Sequence, residues 1–282
     1  MNFTSKIKLK TYEDRSLLKR IIARLRIITF EKRALPNFLI IGTQKGGTTS
    51  LYRYLATHPK IKPNYVVKEL SFFDEYFQRG LPWYKSHFPI KKDGNLYFEG
   101  TTHYLFNPNA PKRVWGVLPN IKIIVLLRDP VYRAFSSYQH QVRAGREKLS
   151  FDEAIKNEKI RLAGEEEKII NDKDYFSFNF QHFSYMARGL YHKQISNWFN
   201  FFPRDQFLFM KSEDFYKNTQ ENLEKICNFL EVNPIEFNVK RKFNSVRYDE
   251  NISKDTLSYL RNYFHKPNIK LSKMIGEDFN WN

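Results

Sequence analysis

The sequence predicts an α/β fold with a P-loop-like central parallel sheet and helices on both faces of that sheet. Two apolar runs, at 38–41 and 121–127, are typical of buried strands, and a polar turn and then an amphipathic stretch follow each of them. Strands that alternate with helices in this way indicate a parallel sheet covered on both sides. Ligands of such sheets bind at the carboxyl ends of the strands, and the conspicuous polar motifs of this chain lie there or in nearby loops.

The remaining elements continue the same alternation along the chain. Shorter strands are predicted at 96–98 and 206–210, and helices at 48–55, 131–143, about 150–171, 188–202, 219–230 and 253–264. Ser150 followed by Glu153 is the pattern of a capping box at the start of one helix. We expect residues 1–35 to form a basic amphipathic lead-in that ends at Pro36, and residues 36–282 to form a single domain.

The amino-acid composition limits the classes of molecule that the protein is expected to bind. The hydrophobic content of 41% is enough for a sizeable core, and the net charge of +17 favours anionic partners such as nucleotides, acidic glycans, nucleic acid or a membrane surface. The sequence shows no clustered RNA-binding motif and no zinc-ligand spacing, so neither nucleic acid nor a metal ion is expected. The single cysteine, Cys227, cannot form an internal disulfide and is expected to be a buried hydrophobic residue.

The expected cellular compartment follows from two features of the sequence, the length of its apolar runs and its N-terminal segment. No run reaches the roughly 18 residues of a membrane span, and no signal peptide is evident, so we expect a cytoplasmic protein. The basic amphipathic stretch at 16–28 leaves two alternatives open, a helix packed on the domain or peripheral contact with an anionic membrane. The oligomeric state stays open.

The segment after the first predicted strand is typical of a phosphate-binding loop. Gly42 to Gly47 form a Gly-rich turn between that strand and the next helix, and free N–H groups at a helix start bind anions. The only lysine of the loop, Lys45, lies within the turn, and Thr48 stands where an ATPase has its lysine. This spacing argues against ordinary ATP or GTP hydrolysis. A turn that holds no ligand is the alternative for the loop taken alone.

A second anion-binding pattern follows the strand at 121–127. Arg128 comes directly after the strand, and Ser136 lies eight residues further on, about two turns into the next helix. A guanidinium and a hydroxyl in this arrangement can bind a phosphate together. For Arg128 alone, a structural salt bridge is the competing interpretation.

These two motifs resemble the 5′-phosphosulfate loop and the 3′-phosphate site of sulfotransferases that use 3′-phosphoadenosine 5′-phosphosulfate (PAPS). Lys68, Glu69, Phe72 and Phe73 form a K-E-x-x-F-F segment, which is similar to the acceptor-side segment of the heparan sulfate N- and 3-O-sulfotransferases. The resemblance extends from about residue 38 to residue 281.

The resemblance implies PAPS as co-substrate, no metal, and a role for each matching residue. Lys45 would neutralise the leaving phosphate, and Glu69 would act as general base. The other implied donor-binding residues are Gly46, Gly47, Thr48, Thr49 and Ser50 at the 5′-phosphate, and Arg128, Ser136 and, more weakly, Arg247 at the 3′-phosphate. The implied acceptor-side residues are Lys68, Phe72, Phe73 and His103.

Several of these roles have competing interpretations. Glu69 could simply pair with Lys68 at the surface, and Phe72 and Phe73 could belong to the core. His103 and His140 are rival bases, although a hydrogen-bonded structural histidine would explain either of them.

The chain also departs from the glycosaminoglycan enzymes. Glu99-Gly100-Thr101 lacks the lysine of their E-K-S segment, and one cysteine cannot form their disulfide. These differences favour a bacterial-type relative that sulfates a hydroxyl or amine of a different acceptor, most simply a carbohydrate. The alternatives are a P-loop kinase or NTPase, and a non-catalytic module that binds an anionic glycan or nucleic acid.

Overall fold

A computed structural model describes residues 26–65, 67–172, 175–239 and 252–281. Its described residues contain one five-stranded sheet with the strand order β2-β3-β1-β4-β5, and every neighbouring pair is parallel. The strands are β1 (Phe38–Gly42), β2 (Ile61–Pro63), β3 (Leu96–Glu99), β4 (Lys122–Leu127) and β5 (Phe207–Lys211). Because the chain passes from β3 across β1 to β4, the strand order reverses beside β1, which is where α/β sheets bind ligands.

The helices alternate with these strands. They are α1 (Thr48–Leu55), α2 (Gly80–Ser86), α3 (Ala110–Val117), α4 (Pro130–Arg143), α5 (Phe151–Arg161), α6 (Glu165–Asn171), α7 (Phe178–His182), α8 (Tyr191–Phe199), α9 (Ser212–Lys217), α10 (Thr219–Phe229) and α11 (Lys254–Ile275). Short 3-10 helices span Ile27–Lys32, Phe77–Arg79, Ala187–Gly189 and Arg204–Gln206. The fold confirms the predicted parallel sheet with helices on both faces.

Successive residues of the strands feed two separate cores. Leu39 and Ile41 of β1 belong to the core that α2, α3, α8 and the end of α11 cover. Phe38 and Ile40 belong to the opposite core, which α1, α9 and α10 cover. Since neighbouring side chains on a strand point to opposite faces, the continuously apolar β1 and β4 are what a sheet buried on both faces requires.

A third apolar cluster lies beyond the sheet and fixes the position of α4. Phe135 of α4 and Phe151 of α5 pack together there, with Leu260 and Phe264 of α11 in the same cluster. The capping box at Ser150 and Glu153 is present at the start of α5. α4 therefore stands as a rigid element directly after β4 and its terminal arginine.

Some predicted boundaries were wrong. The helix predicted at 150–171 is divided at Gly164, whose φ of +73° interrupts the α-helical backbone. The last helix continues past Pro267 to Ile275, because Leu271 and Ile275 extend its buried face and the packing compensates for one lost backbone hydrogen bond. The sequence analysis did not identify the three-residue strand β2 or helix α3.

The end of the predicted lead-in packs on the domain. The N–H of Ala34 donates to the carbonyl of Pro89 (2.9 Å), and Arg33 donates to the carbonyl of Phe88 (2.8 Å). Residues 1–25, which hold most of the amphipathic stretch, lie outside the described residues. None of the helices that the structure describes combines the length and apolar character needed to cross a bilayer.

Candidate active site

The Gly-rich loop lies at the carboxyl end of β1, and its backbone requires glycine at two positions. A Cβ on Gly46 would lie 2.6 Å from the carbonyl oxygen of Leu126, and a Cβ on Gly47 would lie 2.6 Å from the Tyr216 hydroxyl. Gly47 also has a φ of +97°, and Lys45 a φ of +69°. The loop thus packs closely against β4 and α9, and a side chain at Gly46 or Gly47 would displace it.

The loop leads into a helix start that suits an anion. Gly47 is the N-cap of α1, and none of the described side chains caps this end of the helix. The first turn of a helix leaves backbone N–H groups without intrahelical acceptors, and its dipole favours negative charge there. Thr48 and Ser50 are buried within this turn. The site can therefore hold a phosphate-like group through backbone donors.

Arg128, at the end of β4, contacts the loop. Its NH1 donates to the carbonyl of Lys45 (3.1 Å), and its own carbonyl accepts a hydrogen bond from the Tyr191 hydroxyl (2.8 Å). Ser137 of α4 donates to the side chain of Gln44 in the loop (3.2 Å), and the neighbouring Ser136 is buried on the same helix. The structure thus brings the two predicted anion-binding motifs together on adjacent strands.

Positive charge is concentrated around Lys45. Burial, together with the charges of Arg143, Arg128 and Arg133, lowers the pKa of Lys45 to about 8. Burial and the nearby Lys45 likewise lower the pKa of His140. Bringing an anion to this region would relieve the mutual repulsion of these groups.

Glu69 and Lys68 reach this loop from the next segment of the chain. The Lys68 ammonium donates to the Thr48 hydroxyl (3.0 Å) and to the Glu69 carboxylate (3.1 Å). The Thr102 hydroxyl donates to both carboxylate oxygens of Glu69, at 3.2 and 3.3 Å. The Glu69 side chain is 42% exposed, so an incoming molecule can reach it. Lys68 and Glu69 do form the ion pair that the competing interpretation expects. This pair contacts Thr48 after the Gly-rich loop and does not lie on a distant part of the surface.

The end of β3 positions the segment that carries Glu69. The N–H of Ser71 donates to Thr101 (3.2 Å), and the N–H of Phe72 donates to the Tyr104 hydroxyl (2.8 Å). Tyr104 in turn donates to Glu99 (2.9 Å), whose carboxyl is fully buried. Burial raises the pKa of Glu99 to about 8. A buried polar network thus fixes the backbone at Ser71 and Phe72, two and three residues after Glu69.

The structure corrects the prediction that Phe72 and Phe73 face an acceptor. Both rings are buried in the core, where Phe72 stacks on Tyr84 with 4.4 Å between ring centroids. Ser71 has a φ of +52°, so the backbone turns there and directs the following rings inward. These two aromatic side chains anchor the segment that carries Glu69 in the core, and an acceptor cannot reach them.

His103 lies beside Glu69 but in a different environment. Its Nδ1 is 3.0 Å from an Asp74 carboxylate oxygen, and burial lowers its pKa. Asp74 and His103 both line a cavity, and none of the Gly-rich loop residues belongs to that lining. Arg247 falls outside the described residues. Among the residues that the structure describes, no cluster of histidine, cysteine or carboxylate side chains is arranged to hold a metal ion.

Several site residues escaped the sequence analysis. Thr102 holds Glu69, Arg143 adds charge near Lys45, and the Ser212 hydroxyl donates to the carbonyl of Gly46. Thr102 and Ser212 share a usable signal, because each follows the carboxyl end of a strand. The contact between Asp74 and His103 joins residues 29 positions apart, so local spacing could not reveal it.

The fold and this loop are those of an α/β protein with a candidate phosphate-binding loop, and comparison with known proteins identifies the family. A model described as "Sulfotransferase domain" matches residues 35–273. The chain therefore belongs to the sulfotransferase domain family and is a sulfotransferase.

Individual relatives agree with this assignment. The membrane-associated sulfotransferase kil1 of Dictyostelium discoideum is 28% identical, over 100% of this chain and 72% of its own length. The human heparan sulfate glucosamine 3-O-sulfotransferase 3B1 is 29% identical, over 88% of this chain, and the match spans 65% of that relative, slightly less than two thirds. A crystal structure of a sulfotransferase from Alicyclobacillus acidocaldarius is 30% identical with a TM-score of 0.66, covering 88% of this chain and 99% of that one.

Proposed function

We propose that this enzyme transfers a sulfuryl group from PAPS to a hydroxyl or amine of a carbohydrate acceptor. The observation that carries the proposal is the continuous set of contacts from Arg128 through the Lys45 carbonyl to the loop, and from Thr48 through Lys68 to Glu69. These hydrogen bonds connect the two candidate anion-binding motifs with an accessible carboxylate, which supports the proposal. The heparan sulfate named in one relative's description supports a carbohydrate as acceptor.

The donor would lie across the ends of β1 and β4. The backbone N–H groups from Gly46 to Ser50, with the Thr48 and Thr49 hydroxyls, would hold the 5′-phosphate at the start of α1. Arg128 and Ser136 would hold the 3′-phosphate, and Arg247 remains a predicted third contact there. The Lys45 ammonium would neutralise the charge that develops on the phosphate as the sulfuryl group leaves.

The acceptor would approach from the side of Glu69. Glu69 would remove the proton of the attacking hydroxyl or amine as general base, while the Thr102 hydroxyl fixes the orientation of its carboxylate. Lys68, which touches both Thr48 and Glu69, would keep the base and the transferring group at a constant separation. Sulfuryl transfer, like phosphoryl transfer, depends mainly on such in-line placement and on charge stabilisation.

The donor assignment is tested by the affinity for nucleotides that differ in one phosphate. Calorimetry without divalent metal should show that 3′-phosphoadenosine 5′-phosphate, the desulfated product, binds more tightly than AMP, which lacks the 3′-phosphate. Replacing Arg128 with Ala should reduce that preference by about 10- to 150-fold, the value of a lost charge-assisted hydrogen bond. Affinity for AMP should change little in the variant.

A matched control and a transfer assay complete this experiment. Lys159→Ala removes one exposed positive charge from α5 and should leave both affinities unchanged. Equal affinity of the wild-type protein for the two nucleotides would contradict the 3′-phosphate site. Phosphate transfer from ATP with magnesium, without sulfate transfer from labelled PAPS, would instead support the kinase alternative.

A further inference from the structure

A cavity lies next to the segment that carries Glu69, and none of the Gly-rich loop residues belongs to its lining. Its lining includes Asp74, His103, Asn107, Asp172, Tyr175 and Phe180, and its volume is about 80 Å³. A cavity of this size has room for several water molecules. The cavity therefore admits one edge of a sugar ring with its substituents.

The cavity is joined to the proposed base through the backbone. Asp74 lies five positions after Glu69 in the same segment, and His103 directly follows Thr102, whose hydroxyl binds Glu69. The Asp74 carboxylate and the His103 ring are in contact at 3.0 Å. A group held in this cavity would accordingly be part of the molecule whose reacting atom reaches Glu69.

The charge of the cavity is opposite to that of the whole chain. In a protein with a net charge of +17, the lining carries the carboxylates of Asp74, Glu75 and Asp172 and a single cation, Arg113. The guanidinium of Arg113 is bound to backbone carbonyls, with NH1 at 3.1 Å from Phe73 and 2.6 Å from Asp74. It is thus committed to the protein, and the side chains of the lining carry more negative than positive groups.

His103 adds a hydrogen-bond acceptor to this lining. Nδ1 faces the Asp74 carboxylate, and burial lowers the pKa of the ring, so the neutral tautomer with the proton on Nδ1 is favoured. Nε2 then carries a lone pair, and it is buried without a hydrogen-bond partner among the described residues. An O–H or N–H of an acceptor would satisfy it.

We propose that this cavity is an acceptor subsite for a sugar residue that presents hydroxyl or amino donors and bears no sulfate or carboxylate. The carboxylates and the His103 lone pair offer acceptors to such donors, and the aromatic side chains of Tyr175 and Phe180 in the lining offer apolar surface to a sugar ring. The inference rests on the proposed function for its sugar acceptor, and it sets that acceptor apart from polyanionic glycans.

Acceptor preference is measured by calorimetry with the protein saturated with 3′-phosphoadenosine 5′-phosphate. The probes are a tetrasaccharide of N-acetylglucosamine, its de-N-acetylated form, and a tetrasaccharide of alternating N-sulfoglucosamine and hexuronate. We expect each of the first two to bind at least about tenfold more tightly than the third, because like charges placed together cost binding energy. Their rates of sulfation by labelled PAPS should follow the same order.

A charge reversal at the exposed rim of the cavity sharpens the test. The double variant Glu75→Lys/Asp172→Lys should shift the affinity ratio toward the N-sulfated probe by about tenfold or more. The matched control, Asp205→Lys/Glu236→Lys, makes the same charge change at exposed positions outside the lining and should leave the ratio unchanged.

The outcomes separate this inference from the proposed function. Tighter binding of the N-sulfated probe to the wild-type protein, or failure of both other probes to bind or to accept sulfate, would overturn the inference. The nucleotide affinities would remain as expected in those cases. Loss of the preference for the 3′-phosphorylated nucleotide would instead overturn the proposed function, while the sugar affinities could still be compared.

Discussion

The proposed donor side and the proposed acceptor side of the active site differ in charge and in how the protein holds them. On the donor side, Lys45 lies among Arg128, Arg133 and Arg143. On the acceptor side, Asp74, Glu75 and Asp172 line the cavity next to Glu69. The net charge of +17 therefore does not reveal the acidic lining of this cavity.

The supports of the two sides also differ. Hydrogen bonds to backbone carbonyls hold the donor loop, as with Arg128 on Lys45 and Ser212 on Gly46. Beneath the acceptor side, Tyr84 and Tyr104 donate to the buried Glu99 carboxyl. We expect the donor side to respond to changes of charge and shape, and the acceptor side to respond in addition to the protonation of one buried group.

The largest expected effect is on the proposed base. Glu69→Gln should lower kcat by about 10²–10⁴-fold, because the amide cannot take a proton from the acceptor. The affinity for 3′-phosphoadenosine 5′-phosphate should remain within a factor of about two, since the donor side keeps its contacts. Single-turnover sulfation and calorimetry measure the two quantities, and wild-type turnover in this variant would remove Glu69 from the mechanism.

The second effect concerns the protonation of Lys45. With its pKa lowered to about 8, the ammonium is present below that pH and is lost above it. The value of kcat/KM for PAPS should therefore fall above pH 8, approaching about tenfold per pH unit. Lys45→Arg keeps the charge at high pH and should remove the decline even if its maximum is lower. An unchanged profile in that variant would assign the decline to another group.

A smaller effect should follow from loosening the base without removing it. Thr102→Val keeps the shape of the side chain and deletes the hydroxyl that donates to Glu69. A neutral hydrogen bond of this kind contributes roughly 1 kcal/mol, so kcat should fall by about fivefold. Thr57→Val is the matched control, because that hydroxyl donates to the carbonyl of Tyr54, three residues earlier in the chain, and not to Glu69. Equal kcat values in the two variants would contradict a positioning role for Thr102.

The smallest effect on activity, but a distinctive one on stability, is expected at Glu99. Its pKa is raised from 4.5 to about 8, so the folded state binds more protons than the unfolded state between these values. The stabilising contribution of the protonated carboxyl is complete below pH 4.5 and is lost as the pH rises through 8. Urea unfolding at pH 5 and pH 9 should show a weaker pH dependence for Glu99→Gln than for the wild type. Equal dependence would mean that Glu99 does not control it.

The sequence allowed the fold, and the places of the Gly-rich loop and Arg128 within it, to be predicted because these depend on local patterns. The run Phe38–Ile41, the glycine spacing up to Gly47 and Arg128 after an aliphatic strand are all readable within a few residues. The acceptor side depends on contacts between distant segments, such as Asp74 with His103. The inward direction of Phe72 and Phe73 follows from the left-handed backbone at Ser71, which residue types did not reveal.

The shared ammonium of Lys68 has a consequence for how variants of this enzyme combine. Because one side chain is bonded to Thr48 on one side and to Glu69 on the other, removing it alters both surroundings at once. Free-energy changes from Lys68→Ala and Glu69→Gln should therefore not sum in the double variant, as is usual for residues in direct contact. The deviation from the sum measures the coupling free energy between these two side chains.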